Sequence, residues 1–150
     1  MLGNPIAAAR AALAAVALLL AAPAIAADWQ PFPADPVDTS ALLRGAIAAA
    51  NGTLLAKSPT FNLTEDEAEG VADVVFGRIA RPLALAIEGN RYSIISVDAK
   101  GLSARAGNVG LVVAKGIDTI TLGIYDAAVP AGRAMQNVQD IAAVLRSMGH

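Results

Sequence analysis

The strongest constraint on this chain is the spacing of its last third. Five short apolar runs, Leu83 to Ile87, Tyr92 to Val97, Gly101 to Ala106, Gly110 to Lys115 and Thr119 to Tyr125, are separated by Glu88-Gly89-Asn90, Ala99-Lys100, Gly107-Asn108 and Gly116-Ile117-Asp118. Strands joined by such short turns fold back on their neighbours, because a parallel crossover needs a much longer connection. The spacing therefore predicts an antiparallel meander and argues against a parallel α/β fold. Beyond it, Ala134, Val138, Ile141, Ala142 and Leu145 recur at helical spacing and Gly149 supplies a stop. A long C-terminal helix is expected from Pro130 or Ala131 to Met148.

Upstream, Gly45 to Ala50 and Thr53 to Lys57 flank Asn51-Gly52. That pair reads as a two-residue hairpin turn in which both residues tolerate positive φ. Thr64 precedes Glu65-Asp66-Glu67 and places Glu67 three residues on, the pattern of a capping box with an acidic first turn. Ala68, Val71, Ala72, Val74 and Val75 give that helix its buried stripe. Thr39 or Ser40 is expected to cap a short helix through Arg44, with Leu42 and Leu43 turned inward. Before it, Pro31, Pro33 and Pro36 make Asp28 to Asp38 an extended arm. The fold class that results is α+β, an antiparallel sheet of about six or seven strands flanked by helices.

The first 26 residues have another character. Arg10 precedes the apolar run Ala11 to Ala22, followed by Pro23 and the small-residue site Ala24-Ile25-Ala26, the layout of a secretory signal peptide. The run is short and Ala-rich for a membrane span of about 20 residues, which favours cleavage after Ala26, with an uncleaved anchor as the alternative. The expected organisation is a signal peptide over 1–26, a proline-rich arm over 27–38 and one domain over 39–150. Export to the periplasm or outside the cell follows if the leader works, and a cytoplasmic or cytoskeletal location if it does not.

Charge and composition narrow the function classes. Removing Arg10 with the leader leaves ten basic against 13 acidic residues, so no basic stripe is available for a nucleic-acid backbone. The charge is unevenly divided: residues 27–73 hold eight acids and two bases, and residues 74–150 five acids and eight bases. The C-terminal half should present a cationic face. With no cysteine, and His150 as the one histidine, disulfides, thiolate sites, His-ligated metals and a Ser-His-Asp triad have no material.

From Trp29 to His150 the order of these motifs resembles the profilin family. Trp29-Gln30-Pro31-Phe32 is similar to its opening Trp-x-x-aromatic. Asn51 to Ser58 is similar to its first hairpin, Phe61 with Thr64 to Glu67 to the following helix, and Tyr92 to Ile95 to a central strand. The fullest block is Gly123-Ile124-Tyr125-Asp126 through Pro130, Gly132, Val138, Ile141, Leu145 and Gly149. A roadblock-type domain is the alternative scaffold of similar outline.

The resemblance implies a non-enzymatic binding protein with no cofactor and no metal, whose partner is an actin monomer or an actin-like protein. The implied actin-face residues are Arg91, Arg105, Lys115, Gly132 and Arg133, the four cations among them complementary to an acidic partner. Arg105 stands between Ala104 and Ala106 where the family has a cluster of cations, and Met135 replaces a common Asn. The thinned cluster also argues against phosphoinositide binding. Proline-rich peptides would lie on Trp29 and Phe32, but Leu55 and Val144 stand where the family has further aromatics. Trp29 and Phe32 could instead simply pack the arm onto the domain. An exported profilin-fold module that has lost both sites is the alternative function.

Other motifs are read as structural. Glu65, Asp66, Glu67 and Glu69 diverge around a helix and cannot converge on one ion. Asn51-Gly52-Thr53 and Asn62-Leu63-Thr64 are glycosylation sequons, relevant only on a glycosylating route. Gly107 and Gly110 are turn residues, and Tyr92 and Tyr125 are expected to be half-buried with hydroxyls reaching the surface. No nucleophile, base and orienting group come together in the sequence, so no enzyme is expected.

Overall fold

In the computed structural model, which describes residues 41–150, the chain enters as β1 (Arg44–Ala49) and turns into β2 (Leu54–Lys57). Helix α1 (Glu65–Val75) follows, then β3 (Ala84–Ile87), β4 (Asn90–Asp98), β5 (Gly101–Ala106), β6 (Val109–Lys115), β7 (Thr119–Asp126) and helix α2 (Ala131–Ser147). The seven strands form one sheet in the order β2-β1-β7-β6-β5-β4-β3, and every pairing is antiparallel. The predicted meander is therefore β3 to β7, closed on its far side by the first hairpin. No described helix is long and apolar enough to cross a membrane.

Alternation along the strands divides the core into two layers. Leu111, Val113, Ile120, Leu122 and Ile124 join Val71, Ala72 and Val75 of α1 on one face. Val112, Ala114 and Tyr125 meet Ala134, Val138 and Ala142 of α2 on the other. Ile47 and Ala56 continue that second layer against Ile141 and Leu145. Each large side chain buried here contributes about 1.5–3 kcal/mol. Because β6 and β7 are covered on both faces, β6 reads as an apolar run up to Lys115, and β7 buries Thr119 and Thr121 along with its apolar residues.

The capping box forms as predicted, with the Thr64 hydroxyl accepting from the Glu67 N–H and the Glu67 carboxylate accepting from the Thr64 N–H. The same carboxylate accepts the N–H groups of Glu88 and Gly89 at 2.9 and 3.0 Å. It thus ties α1 to the β3–β4 turn, where Glu88 holds a positive φ of 56°. Arg44 forms a two-pronged ion pair with Glu88 at 2.6 and 3.1 Å, and the Asn62 N–H donates to Glu88 as well. Those contacts offset the about 1–2 kcal/mol that a left-handed non-glycine residue costs.

Three local expectations need correction. The segment expected to be helical up to Arg44 is a turn and bend over 41–43 running straight into β1; its earlier residues lie outside the described ones. Leu42 packs into the α2-side layer, but Leu43 is 54% exposed. The first hairpin loop is longer than two residues. Only Gly52 takes positive φ, while the Asn51 side chain accepts the Thr53 N–H. Tyr92 and Tyr125 are buried rather than half-exposed, and the Tyr92 hydroxyl has no partner among the described residues.

The end of the chain is also more buried than its sequence suggests. The His150 carbonyl accepts the N–H groups of Ile117 and Asp118 and the Thr119 hydroxyl, and its imidazole Nδ1 lies 3.2 Å from Asp118. These contacts dock the end of α2 onto the β6–β7 turn.

Candidate functional site

Helix α2 lies along β6 and β7 and reaches β1 through Ile141 and Leu145, so it covers one half of its sheet face. Close approach is permitted by glycine. A Cβ on Gly123 would fall 2.7 Å from Leu42 and 3.0 Å from Val138, and one on Gly110 would fall 2.2 Å from the Tyr125 ring. Tyr125 therefore lies across Gly110, its cross-strand partner, and marks the boundary of the covered half. Beyond it, β5, β4 and β3 present a face that is bare among the described residues.

The register decides what that face carries. Arg105 pairs with Gly110 on one side and Ser93 on the other, so all three point the same way as Tyr125. Arg91, two residues before Ser93, shares the face and is a diagonal neighbour of Arg105, at a spacing of about 7–8 Å for such pairs. Ser103 and Ser96, paired with each other, extend it. Both arginines are exposed, and neither forms an ion pair among the described residues. No acidic residue occurs in β3, in β5 or in β4 before Asp98. Gly132 and Arg133 sit in the exposed first turn of α2, whose Ala134 packs with Tyr125, so they border the same end of the face.

The five basic-face candidates are thus not all brought together. Lys115 has the parity of Leu111 and Val113, which puts it on the α1 side, where its Nζ lies 5.1 Å from the centre of the Phe76 ring. It is also five residues along β6 from Gly110, about 16 Å at strand rise. On the proline-peptide side, Trp29 and Phe32 lie outside the described residues. Leu55 is a half-buried residue packed against the Ile47, Ile141 and Leu145 cluster, and Val144 is half-buried on α2.

Two further features were missed from the sequence. Ser93 lies between the arginines and Ser96 and Ser103 continue the polar lane beyond them, a lane signalled by alternation in β4 and β5 but not read as part of the face. The second is a β-bulge. Ile94 pairs with Ala104 and Ser96 with Ser103, leaving Ile95 as the extra residue, 56% exposed on this face.

The perturbed ionisable groups lie on the opposite side of the sheet. Burial pushes the Glu88 carboxyl up, but hydrogen bonds from Arg44 and Asn62 together with the Arg44 charge outweigh it and hold the group below its ordinary value. Burial raises the Tyr92 phenol, with Glu88 adding to the effect and Arg44 opposing it. This cluster braces the fold. Among the described residues no acid and histidine groups converge to hold a metal.

The profilin family model matches residues 27–150. Profilin-1 of Dictyostelium discoideum is 32% identical over 126 residues, which span 82% of this chain and 99% of that protein. Among solved structures, Acanthamoeba castellanii profilin IB superposes with a TM-score of 0.70 at 24% identity, covering 82% of this chain and 100% of that one. LokiProfilin2, solved in complex with rabbit actin, superposes with a TM-score of 0.64 at 14% identity, covering 72% of this chain and 87% of its own.

Proposed function

The chain belongs to the profilin family, and from that premise we propose that it binds an actin monomer through the bare face of β3, β4 and β5 and the first turn of α2. The observation that carries this reading is the pair Arg91 and Arg105, exposed on a sheet surface whose strands carry no acid before Asp98, next to Gly132 and Arg133. Exposed cations attract an acidic protein surface, steer its approach and fix its register. The family is one of non-enzymatic actin-binding proteins, and LokiProfilin2 was solved on actin itself. The mechanism is occupancy: a monomer capped on one surface is withheld from spontaneous nucleation. Lys115 is left out of the proposed site because it faces α1.

Proline-rich peptides form a second proposed contact, carried by Trp29 and Phe32 alone. The aliphatic Leu55 and Val144 offer no flat ring to stack on a polyproline helix, so this contact should be weak. Export remains part of the proposal. Its support is the leader pattern over residues 1–26, which lies ahead of the family match.

The test is polymerisation of pyrene-labelled actin with the protein titrated against a constant monomer pool. Concentration-dependent suppression of nucleation is expected. No effect at concentrations well above the actin pool would overturn the reading and favour an exported profilin-fold module with a different ligand.

A further inference from the structure

Six large apolar side chains are exposed among the described residues, and Ile95 is the one that lies within a β-strand. Its setting is unusual in three respects. First, strict alternation would carry β4 in, out, in, out across Ile94 to Val97, yet Ile94 and Val97 both pack against the α1-side core. Ile95 and Ser96 are therefore both turned outward, and the bulge creates an extra position on the bare face. Second, the bulge is braced: the Arg81 guanidinium donates to the Ile95 carbonyl at 3.2 Å. Third, the nearest outward residues on β4 and β5 are Ser93, Ser96, Ser103 and Arg105, with Ala84 beside Ser93 on β3 and Arg91 four residues along β4, about 13 Å at strand rise, so the branched hydrocarbon stands beside three serines and a cation.

Nothing in the fold requires this arrangement. A side chain more than half exposed adds little to the core, and an apolar residue on a bare strand invites aggregation. An apolar anchor with polar and charged neighbours is, however, the anatomy of a binding hot spot, in which the centre is desolvated on contact and the rim excludes water. We propose that Ile95 is the apolar anchor of the actin-docking face, entering a hydrophobic depression on the monomer while Arg91 and Arg105 pair with carboxylates around it. This rests on the reading of the bare face as the actin site. The bulge sets the anchor's height and direction, and the serines keep its surroundings low enough for a flat partner to close over it.

The experiment measures the affinity of the protein for fluorescently labelled actin monomer across salt concentrations of about 50 to 200 mM, a range over which surface charge pairs weaken. Four proteins are compared: the natural sequence, Ile95→Ser, Ile95→Val and Arg105→Ser. Ile95→Ser should weaken binding about tenfold, the loss typical of a hot-spot truncation, with the salt dependence of the natural protein retained. Ile95→Val should stay within about twofold, since one methylene is a small part of the contact. Arg105→Ser should weaken binding and flatten its salt dependence. Thermal melts should coincide for Ile95→Ser and the natural protein, separating anchoring from folding. If Ile95→Ser binds as tightly as the natural protein, the anchor is overturned and the site reading stands. If the natural protein does not bind actin at all, both fall.

Discussion

A methyl group on Gly110 would lie 2.2 Å from Cζ of Tyr125, closer than any contact the site can absorb, because the ring is itself pinned by Ala134 and Val138. Gly110→Ala should therefore destabilise the protein by about 2 kcal/mol through overpacking, read as a lowered urea midpoint. Glu88 makes the second prediction at this scale. Its carboxyl is held below the ordinary value of 4.5, so its contribution is fully present above that value and is lost as pH falls through the folded one. Glu88→Gln should cost about 2 kcal/mol at pH 7, the worth of a charge-assisted hydrogen-bond set. The gap between variant and natural protein in urea melts should close steadily as the pH falls below 4.5. A gap that stayed constant down to acid pH would show that the Arg44 pairing does not stabilise the fold.

Among the elements, α1 is the one whose sequence and structure agree most closely. Its cap, acidic first turn and five buried residues were all legible, because capping and the helical period are local. What was not legible is that Glu67 serves three N–H groups in two elements. Thr64→Ala should cost about 1 kcal/mol, an ordinary cap loss. Glu67→Ala should cost about twice that and lower the melting temperature correspondingly, since the β3–β4 turn loses its acceptor too. Equal losses for the two variants would remove the second role. The misreadings have a common physical cause, which is that strand faces are set by register. Lys115 is grouped with the basic face by resemblance alone, and a run such as Leu111 to Ala114, buried on both sides, carries no alternation to say which way the next residue turns. The bulge at Ile95 is invisible for the same reason. The segment around Leu42 misled because Ser and Thr before an apolar pair fit a helix cap as well as a strand entry.

At the scale of the whole molecule, the sheet separates two kinds of surface. The α1 side carries the Arg44–Glu88 pair and the cations stacked on Phe76, both tied into the fold. The opposite side is half covered by α2, and its other half carries Arg91 and Arg105, which form no ion pair among the described residues. Charge reversal on the two sides should then have opposite signatures. Arg105→Glu places a carboxylate amid the proposed acidic contact and should weaken actin-monomer binding at least tenfold at low salt, with thermal stability little changed because the side chain is exposed. Lys115→Glu removes a cation–π contact and should lower stability by about 0.5–1 kcal/mol, yet leave actin affinity within about twofold because it faces away. Fluorescence titration of labelled monomer, paired with a thermal melt of each variant, reads both quantities. Loss of actin binding in Lys115→Glu with Arg105→Glu unaffected would move the docking surface to the α1 side. The reverse would confirm that α2, by covering only β1, β7 and β6, defines the face through which the molecule meets its partner.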